Sequence, residues 1–226
     1  MIQLTSFAAS YEESRHVLNG LLLEASADTM RMVATDGRRL AKIDKKLIHP
    51  TSKDFHCIIP SKAINEIYRN LKENGQVTII HGVNQVLFNI DGILIATRII
   101  DGEFPNYKQV IPKEIPQKVR VKTAQHLAAI RRASLLATQD FQAVKFELFK
   151  NKLVISKTTP DIGEHREEID IEYGHQELMA GFNPQFFIDV LKHLPQEEIE
   201  LEFLGPDKAC VLRIGDYLYM ALPMRL

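Results

Sequence analysis

The sequence contains an internal repeat, and this feature limits the possible folds more than any other. Four segments of the first half correspond, in the same order and at a nearly constant spacing, to four segments of the second half. The corresponding pairs are residues 1–10 with 129–138, 17–24 with 141–148, 58–64 with 181–187, and 77–100 with 199–224. Each match alone is weak, and their shared order indicates two copies of one structural unit.

Each copy is predicted to contain a helix, paired strands, a second helix and further strands. β-Branched and apolar residues dominate several short segments bounded by turn signals, which is typical of strands. These segments are residues 77–80, 86–90, 144–148 and 153–156, and the aligned segment 17–24 is predicted as a strand as well. The turn dipeptides Asp91-Gly92 and Gly215-Asp216 fall at matching places in the two copies. The predicted fold class is α+β: two repeated domains, each with helices packed on a mostly antiparallel sheet.

The helices are predicted from proline positions and from the spacing of apolar residues. Pro60 and Pro184 stand where a helix can begin, because a proline in the first turn loses no hydrogen bond. In the predicted helix 62–72, four apolar residues share one face at helical spacing. They are Ile64, Ile67, Tyr68 and Leu71. The second copy is expected to open with a strand at 119–122 and a helix at 123–137.

Three prolines mark an extended linker between the copies, since proline lacks an amide donor and fixes φ. They are Pro105, Pro112 and Pro116. The predicted domains are residues 1–104 and 118–226, with residues 105–117 as the linker. The first copy starts at the position equivalent to Ala129, so it lacks the opening strand and the first helical turns of the second copy. We expect that Met1 is not the natural beginning of this architecture.

Composition and charge place the chain among ordinary globular proteins. Of its 226 residues, 45% are hydrophobic and 25% are charged, and the formal net charge is −1. No overall basic excess indicates nucleic-acid binding, so any DNA contact has to depend on local charge. Cys57 and Cys210 lie in apolar, strand-like segments and are expected to be buried thiols. No signal peptide and no apolar segment of membrane-spanning length is found, which predicts a cytoplasmic protein.

The sequence shows no pattern typical of an active site. It contains no glycine-rich phosphate loop, and no cysteine or histidine cluster has the spacing of a metal site. Surface positions are expected for a group of histidines and glutamates in the second copy: His165, His175, His193, Glu164, Glu167 and Glu168. We therefore predict that the protein is not an enzyme and has no catalytic residue, metal ligand or cofactor.

Several short motifs follow one another over the whole chain. They are Arg15 with Leu18-Asn19-Gly20, Thr35-Asp36-Gly37-Arg38-Arg39-Leu40, Asp101-Gly102-Glu103-Phe104-Pro105-Asn106-Tyr107, Tyr219-Met220, and Leu222-Pro223-Met224-Arg225-Leu226. Together these motifs resemble the bacterial β sliding clamp, the β subunit of DNA polymerase III, in its second and third domains. The resemblance implies the DNA-clamp fold for both copies.

The resemblance also implies a function without catalysis. Members of this family have three copies of one domain, and two protomers close head to tail into a ring around duplex DNA. The expected function is that of a processivity factor, which tethers the replicative polymerase alpha subunit, the clamp loader and repair proteins through their short linear motifs. The expected assembly of the full-length family is a homodimer. The alternative is a truncated fragment that binds partner peptides and cannot close a ring on DNA.

A hydrophobic site for partner peptides is implied as well. Taken alone, Asp36-Gly37 is an ordinary turn, and residues 217–222 form an ordinary apolar strand that Pro223 ends. By resemblance, the tail packs and forms a groove with the turn of the first copy, where Arg15 and Arg39 hold the polar ends of a peptide. The residues carried over are Arg15, Leu18, Thr35, Gly37, Arg38, Arg39, Leu40, Pro105, Gln109, Val110, Met220, Ala221, Leu222, Pro223, Met224, Arg225 and Leu226.

A weakly positive, DNA-facing surface is the second expectation from the resemblance. On the predicted helices, Lys62, Arg69 and Arg132 point away from the apolar face. Such residues equally suit an ordinary solvated helix face, and on the helix after Pro184 the acidic Asp189 offsets Lys192. Because a ring holds DNA topologically, we expect weak, sequence-independent phosphate contacts that permit sliding.

Overall fold

The computed structural model describes residues 1–113 and 117–226. Pro116, one of the three predicted linker prolines, lies outside the described residues. The chain divides into two compact units, Met1–Val110 and Ile111–Leu226. The predicted domain limits at residues 104 and 118 remain predictions. Within the described part of the chain, the structure has no helix with the length and apolar character needed to span a membrane.

The first unit combines two antiparallel sheets with two helices. One sheet has the strand order β4-β1-β2-β3, and the other has the order β5-β6-β7. Helix α2 packs on β1 and β4 through the fully buried Ile64 and Ile67. The elements are α1 Ile2–Thr5, β1 Gly20–Ser26, β2 Thr29–Thr35, β3 Arg39–Lys46, β4 Phe55–Pro60, α2 Ser61–Asn70, β5 Val77–His81, β6 Gln85–Ile90 and β7 Ile93–Arg98.

The second unit uses the same elements and adds one strand. Its strands pair antiparallel in the orders β11-β10-β9-β12 and β8-β13-β14-β15. The elements are β8 Gln117–Lys122, α3 Thr123–Ser134, β9 Val144–Phe149, β10 Lys152–Thr159, β11 Gly163–Asp170, β12 Leu178–Phe182, α4 Pro184–Leu191, β13 Glu198–Phe203, β14 Cys210–Ile214 and β15 Tyr217–Ala221.

Strand pairing confirms the repeat and the α+β fold class. The order β4-β1-β2-β3 in the first unit is matched by β12-β9-β10-β11 in the second. The hairpins β5-β6-β7 and β13-β14-β15 also correspond, and their tight turns fall at Asp91-Gly92 and Gly215-Asp216. In the second unit β8 adds a strand outside β13, whereas α1 has four residues against the twelve of α3.

Aromatic packing organises the core of the second unit. Phe146 on β9, Phe182 on β12 and Phe187 on α4 form a mutual cluster, with ring centroids 5.1 to 5.3 Å apart. All three side chains are at most 2% exposed. Aromatic rings at these tilted geometries gain attraction beyond the burial of their area. The cluster therefore joins α4 to the sheet on which it packs.

The predicted limits of two helices and one strand need correction. Helix α2 ends at Asn70, so Leu71 lies beyond it, and Tyr68 is 47% exposed, which leaves Ile64 and Ile67 as the buried face. Helix α3 ends at Ser134, and tighter turns with hydrogen bonds three residues apart continue to Ala137. Residues 17–18, predicted as strand, belong to a 3-10 segment that precedes β1.

The predicted positions of the cysteines are confirmed, and one histidine was missed. Cys57 and Cys210 are buried free thiols, and burial raises the pKa of Cys57 to about 11. His175 is exposed, and the other two histidines assigned to the surface, His165 and His193, are partly exposed. His126 on α3 is completely buried, although the sequence patterns drew no attention to it.

Candidate functional site

The turn between β2 and β3 is held by its own side chains. The Thr35 hydroxyl donates a 2.6 Å hydrogen bond to the carbonyl of Arg39 and accepts one from the amide of Gly37. The Asp36 carboxylate accepts hydrogen bonds of 2.9 Å from the amides of Arg38 and Arg39. These bonds satisfy backbone groups that the end of the strand ladder leaves open, so residues 35–39 form a rigid loop.

Arg15 closes over this turn, next to a glycine with a positive φ. Its guanidinium donates a 3.1 Å hydrogen bond to the carbonyl of Asp36. Gly37 has a φ of 88°, and a Cβ placed on it would lie 2.8 Å from Nη1 of Arg15. The backbone conformation therefore favours glycine, whereas the guanidinium of Arg15 is the end of a flexible side chain and could move. The structure thus brings Arg15 together with the turn, as the resemblance predicted for these residues.

Arg39 is buried, in contrast to its exposed neighbour Arg38. Its Nε lies 3.0 Å from the Asp36 carboxylate, and Nη2 donates a hydrogen bond to the carbonyl of Phe7. The guanidinium also sits 5.7 Å from the centre of the Phe7 ring. The role of Arg39 at a peptide end remains a prediction, and in this structure its charged group is engaged inside the first unit. Arg38 is the arginine of this turn that faces solvent.

A polar network fixes the segment that follows β7. The buried Tyr107 donates a 2.6 Å hydrogen bond to the carboxylate of Glu24 on β1. Arg31 on β2 donates to the Tyr107 oxygen at 3.4 Å and forms two hydrogen bonds, of 2.7 and 2.9 Å, with Asp44 on β3. Lys42 adds a 2.8 Å contact to the same carboxylate. The chain after β7 is therefore tied to three strands of one sheet.

The charges in this network shift one another's ionisation. Burial opposes the charged form of Asp44, but the hydrogen bonds from Arg31 and Lys42 outweigh it, so the pKa of Asp44 lies below its ordinary value. The hydrogen bond to Asp44 raises the pKa of Arg31. Burial and the hydrogen bond to Glu24 raise the pKa of Tyr107, which stays protonated at neutral pH and can donate.

The predicted site residues of the first unit fall into two groups. Leu18, Thr35, Arg39 and Leu40 are buried, and they build the support of the turn. The residues on the surface are Arg15, Gly37, Arg38, Pro105, Gln109 and Val110. Among these, Val110 is an apolar residue with 58% of its surface exposed.

The carboxyl-terminal residues of the second unit change from buried strand to exposed tail. Met220 and Ala221 end β15 and are at most 4% exposed, whereas Leu222 is 41% and Leu226 is 63% exposed. The tail does not hang free, because the amide of Met224 donates a 2.8 Å hydrogen bond to the carbonyl of Gly181. The tail therefore packs on β12 of its own unit, and its part in a peptide groove remains a prediction.

Gly181 permits this close approach of the tail to β12. A Cβ on Gly181 would lie 2.8 Å from Cδ2 of Leu226 and 2.9 Å from the carbonyl oxygen of Met224. No side chain fits between two backbones at that distance. Gly181 was part of the aligned repeat, but nothing in the sequence assigned it this role.

The three cationic residues predicted to face DNA are all exposed, and two of them have acidic partners. Arg69 lies 3.7 Å from the carboxylate of Glu66 on the same helix. Arg132 forms two hydrogen bonds, of 2.9 and 2.6 Å, with Glu167 on β11. Hydrogen bonding to Glu167 raises the pKa of Arg132. Lys62 is exposed and forms no ion pair with the residues that the structure describes. Lys62 therefore presents the most available positive charge of the three.

Sequence reasoning missed the residues that support the site rather than form its surface. Phe7, Glu24 and Arg31 were not singled out, and Tyr107 was noted as part of a motif without a role. Among residues 1–113 and 117–226, no group of three or more His, Cys, Asp or Glu side chains is arranged to hold a metal ion.

Two family models match the chain one after the other. The model described as DNA polymerase III beta subunit, central domain, matches residues 1–106. The model described as DNA polymerase III beta subunit, C-terminal domain, matches residues 108–224. The two matches cover the two repeated units in sequence order.

Similar proteins share these domains over the full length of the chain. The beta sliding clamp of Chlamydia pneumoniae is 32% identical over 227 residues, and that of Pseudomonas aeruginosa is 30% identical over 230. Both alignments cover 100% of this chain, and 62% and 63% of the two relatives. The chain thus spans less than two thirds of the length of these relatives.

Solved structures show the same similarity. A DNA polymerase sliding clamp from Pseudomonas aeruginosa superposes with a TM-score of 0.94 at 30% identity, and one from Bacillus subtilis with 0.94 at 31%. They cover 100% of this chain, which spans 63% and 61% of those chains. A Pseudomonas aeruginosa sliding clamp bound to griselimycin also matches, with a TM-score of 0.94.

Proposed function

This chain belongs to the DNA polymerase III beta subunit family, the sliding clamps, and from that premise we propose that it serves as part of a DNA processivity factor. The observation that carries the proposal is the ordered match of two consecutive clamp domains to residues 1–106 and 108–224. In this role the protein is non-catalytic and acts in the cytoplasm. It encircles duplex DNA as part of a ring, in full-length relatives a homodimer, and tethers the replicative polymerase, the clamp loader and repair proteins.

Partner tethering is assigned to the surface residues around the turn and at the tail. Arg15, Arg38 and Val110 of the first unit offer charge and apolar surface, and Leu222 and Leu226 of the second unit offer apolar side chains. A short peptide with apolar anchors is the partner that such residues fit. The polar network at Tyr107 and the packed tail support this proposal, because a preorganised surface loses less entropy on binding.

Griselimycin, which is bound to a Pseudomonas aeruginosa clamp in a solved structure, is the ligand chosen to test the proposed peptide surface. We expect the chain to bind griselimycin in isothermal titration calorimetry. Deletion of residues 224–226 removes the packed tail and should weaken binding by about 2 kcal/mol, or roughly thirtyfold. Ile48→Ala, at a 74% exposed apolar residue that is not one of the candidate residues, serves as the control and should bind unchanged. Unaltered binding after the tail deletion would refute the assignment of the tail.

DNA contact is assigned to the exposed cations Lys62, Arg69 and Arg132. Arg132 is paired with Glu167 and Arg69 lies near Glu66, so the resulting attraction for phosphates is weak. We expect low affinity for a fluorescently labelled duplex in anisotropy measurements, with the affinity falling as salt rises and independent of sequence. Tight, sequence-specific binding would contradict a sliding role.

The second candidate function is a fragment that binds partner peptides without enclosing DNA. The observation that favours it is the share of each relative that this chain spans, 62% for the Chlamydia pneumoniae clamp. Two measurements separate the candidates: native mass spectrometry gives the number of chains in the assembly, and a sizing column shows whether the chain stays on circular DNA. An assembly of several chains that is retained on circular DNA supports the clamp. A monomer that binds griselimycin and is not retained on DNA supports the fragment.

A further inference from the structure

Two asparagines of this chain, Asn19 and Asn74, are each followed by a glycine. This context favours modification of asparagine without an enzyme, because the amide nitrogen of the next residue can attack the side-chain carbonyl carbon. Glycine leaves that approach open, since it has no Cβ and its backbone turns freely. The structure places the two dipeptides in opposite environments.

Asn74 and Gly75 lie in an exposed loop between α2 and β5. Helix α2 ends at Asn70 and β5 begins at Val77, and residues 72–76 are all exposed. Among the residues that the structure describes, neither the Asn74 side chain nor the Gly75 amide has a hydrogen-bond partner. The chain therefore has to break no hydrogen bond of either group to bring the two together.

One contact borders this loop without holding it firmly. A Cβ built on Gly75 would lie 3.1 Å from a carboxylate oxygen of Asp91, in the turn between β6 and β7. Asp91 pairs with Lys72 at 3.6 Å, and the Lys72 side chain is 70% exposed. Ion pairs so exposed contribute little to stability. The contact therefore does not fix the orientation of Asn74 relative to Gly75.

Asn19 precedes its glycine in a buried setting. The Asn19 carbonyl accepts hydrogen bonds of 3.0 and 2.7 Å from the amide and the hydroxyl of Ser61. Gly20 is buried at the start of β1 and pairs with Pro60 on β4. A Cβ on Gly20 would lie 2.5 Å from the carbonyl oxygen of Ile59, so the two backbones are in close contact. Attack by the Gly20 nitrogen would require this strand end to open.

We propose that Asn74 is a site of spontaneous deamidation through a succinimide ring. The Gly75 amide nitrogen bonds to Cγ of Asn74 and loses its proton to water. The bond between Cγ and Nδ2 breaks, and ammonia leaves with a proton taken from water. Water then opens the ring at either carbonyl, which gives aspartate or isoaspartate. One water enters and one ammonia leaves, and no atom is oxidised or reduced.

Both products change the loop chemically. Each adds a negative charge at residue 74, beside Glu73 and near the carboxylate of Asp91. Isoaspartate also inserts a methylene into the main chain and leaves the α-carboxylate free. That carboxylate is the group that isoaspartyl methyltransferases methylate with S-adenosylmethionine, so the modified loop becomes a substrate of this class of enzyme.

Three asparagines of the unaltered chain form an internal comparison. Asn74 is exposed and precedes glycine, Asn84 is exposed and precedes Gln85, and Asn19 precedes glycine at a buried strand end. The full chain is incubated at mildly alkaline pH, folded and in guanidinium chloride, and deamidation at each position is followed by peptide mass spectrometry. Isoaspartate is measured separately, by methylation with an isoaspartyl methyltransferase and labelled S-adenosylmethionine. Asn74→Gln blocks the reaction, because glutamine would have to form a larger ring, and Asn84→Gln is its matched control.

In the folded chain Asn74 should deamidate at least about tenfold faster than Asn19, because the strand end has to open before the Asn19 ring can close. Asn84 should also be slow, since the side chain of Gln85 hinders attack by its amide nitrogen. In guanidinium chloride Asn19 should reach the rate of Asn74, whereas the rate at Asn74 should change by less than about threefold. Asn74→Gln should remove most of the methylation, and Asn84→Gln should leave it unchanged.

An unmodified Asn74, or equal rates at the three asparagines of the folded chain, would overturn the inference. A large increase in the rate at Asn74 on unfolding would overturn it as well, because the folded loop would then protect the side chain. Aspartate formed without isoaspartate would indicate direct hydrolysis of the side-chain amide, which excludes the succinimide route.

Discussion

The Tyr107 hydroxyl and the Glu24 carboxylate are 83 residues apart in the chain and 2.6 Å apart in the structure. Their hydrogen bond joins the 3-10 turn Tyr107–Gln109 to the face of β1. Pro105, Gln109 and Val110, three of the residues assigned to partner binding, lie within three positions of Tyr107. Because Tyr107 is 5% exposed, it acts as an anchor that positions this segment and does not itself meet a partner.

Removing the hydroxyl should therefore loosen the segment. Tyr107→Phe keeps the buried ring and leaves Glu24 and Arg31 without their shared partner. Hydrogen bonds to charged groups contribute about 2 kcal/mol, so we expect a loss of that order in the free energy of unfolding, measured by urea denaturation. Tyr68→Phe, at an exposed tyrosine, is the control and should change stability by less than about 0.5 kcal/mol.

A second variant shows whether the two groups act as a pair. Glu24→Ala removes the acceptor and should cost a similar amount alone, and the double variant should cost clearly less than the sum of the two single changes. Additive losses would mean that the hydrogen bond between Tyr107 and Glu24 contributes nothing in solution.

Arg39 and Arg38 are adjacent in sequence and should respond differently to the same substitution. Arg39→Ala leaves Asp36 without its ion pair and the carbonyl of Phe7 without its donor, so we expect a loss of about 3 kcal/mol in the free energy of unfolding. Arg38 is exposed, and Arg38→Ala should leave stability within about 0.5 kcal/mol.

Binding measurements complete this comparison. Arg38→Ala should weaken griselimycin binding without a change in stability, which separates a contact residue from a supporting one. The opposite result, in which Arg39→Ala folds normally and binds weakly while Arg38→Ala binds normally, would make Arg39 the contact residue and would require its guanidinium to leave the buried position.

The internal repeat and local patterns were sufficient to predict the α+β fold class. The aligned segments 17–24 and 141–148 led to β1 and β9, which occupy the same place in the two strand orders, because short apolar segments bounded by turns specify strands locally. The limits of α2 and α3 were less accurate. Tyr68 has helical spacing with Ile64, but it is 47% exposed. Spacing alone does not show which side chains of a helix are covered by neighbouring elements.

Much less of the candidate site could be predicted from sequence. The turn at Thr35 was recognised as a motif, whereas the burial of Arg39 depends on Phe7, 32 residues earlier, and on the packing of α1 and the 3-10 turn after it against β3. The burial of Lys157, which is 6% exposed, likewise depends on the loop that ends at Ala143, because the Lys157 ammonium donates a hydrogen bond to the Ala143 carbonyl. Contacts between residues so distant in the chain leave no periodic signal, and the supporting residues were missed for this reason.

The tail offers a test at a single backbone position. Gly181→Ala places a methyl group 2.8 to 2.9 Å from Leu226 and from the carbonyl of Met224, so the tail has to move away from β12. We expect the Met224 amide, now hydrogen-bonded to Gly181, to lose its protection in hydrogen exchange measured by mass spectrometry or NMR.

The matched control for the tail is Gly174→Ala, because a Cβ there would meet no atom within 4 Å. Exchange at Met224 should be unchanged in this variant. Rapid exchange at Met224 in the unaltered chain would show that the tail is not docked in solution, whatever the effect of the Gly181 substitution.

His126 should make the stability of the chain sensitive to mild acid. Its ring is completely buried beside Phe146 and Phe187, and neither nitrogen has a hydrogen-bond partner among the described residues. Burial lowers the pKa of His126 to about 3. In the unfolded chain the pKa returns to about 6.5. Below that pH the unfolded chain takes up a proton that the folded chain refuses, so stability is complete above about pH 6.5 and falls as the pH drops, by about 1.4 kcal/mol per pH unit.

His126→Leu removes this sensitivity, since leucine fills a similar volume and has no proton to bind. Between about pH 7.5 and pH 5, the unaltered chain should lose about 2 kcal/mol more than the leucine variant in the free energy of unfolding, measured by urea denaturation at both values. Comparing the two chains at each pH cancels the titration of the carboxylates that they share. His49→Gln, at an exposed histidine, should follow the unaltered chain at both pH values. If the difference between the unaltered chain and His126→Leu is the same at both values, then His126 takes up its proton as readily in the folded chain as in the unfolded one, and the buried neutral ring between Phe146 and Phe187 does not exist in solution.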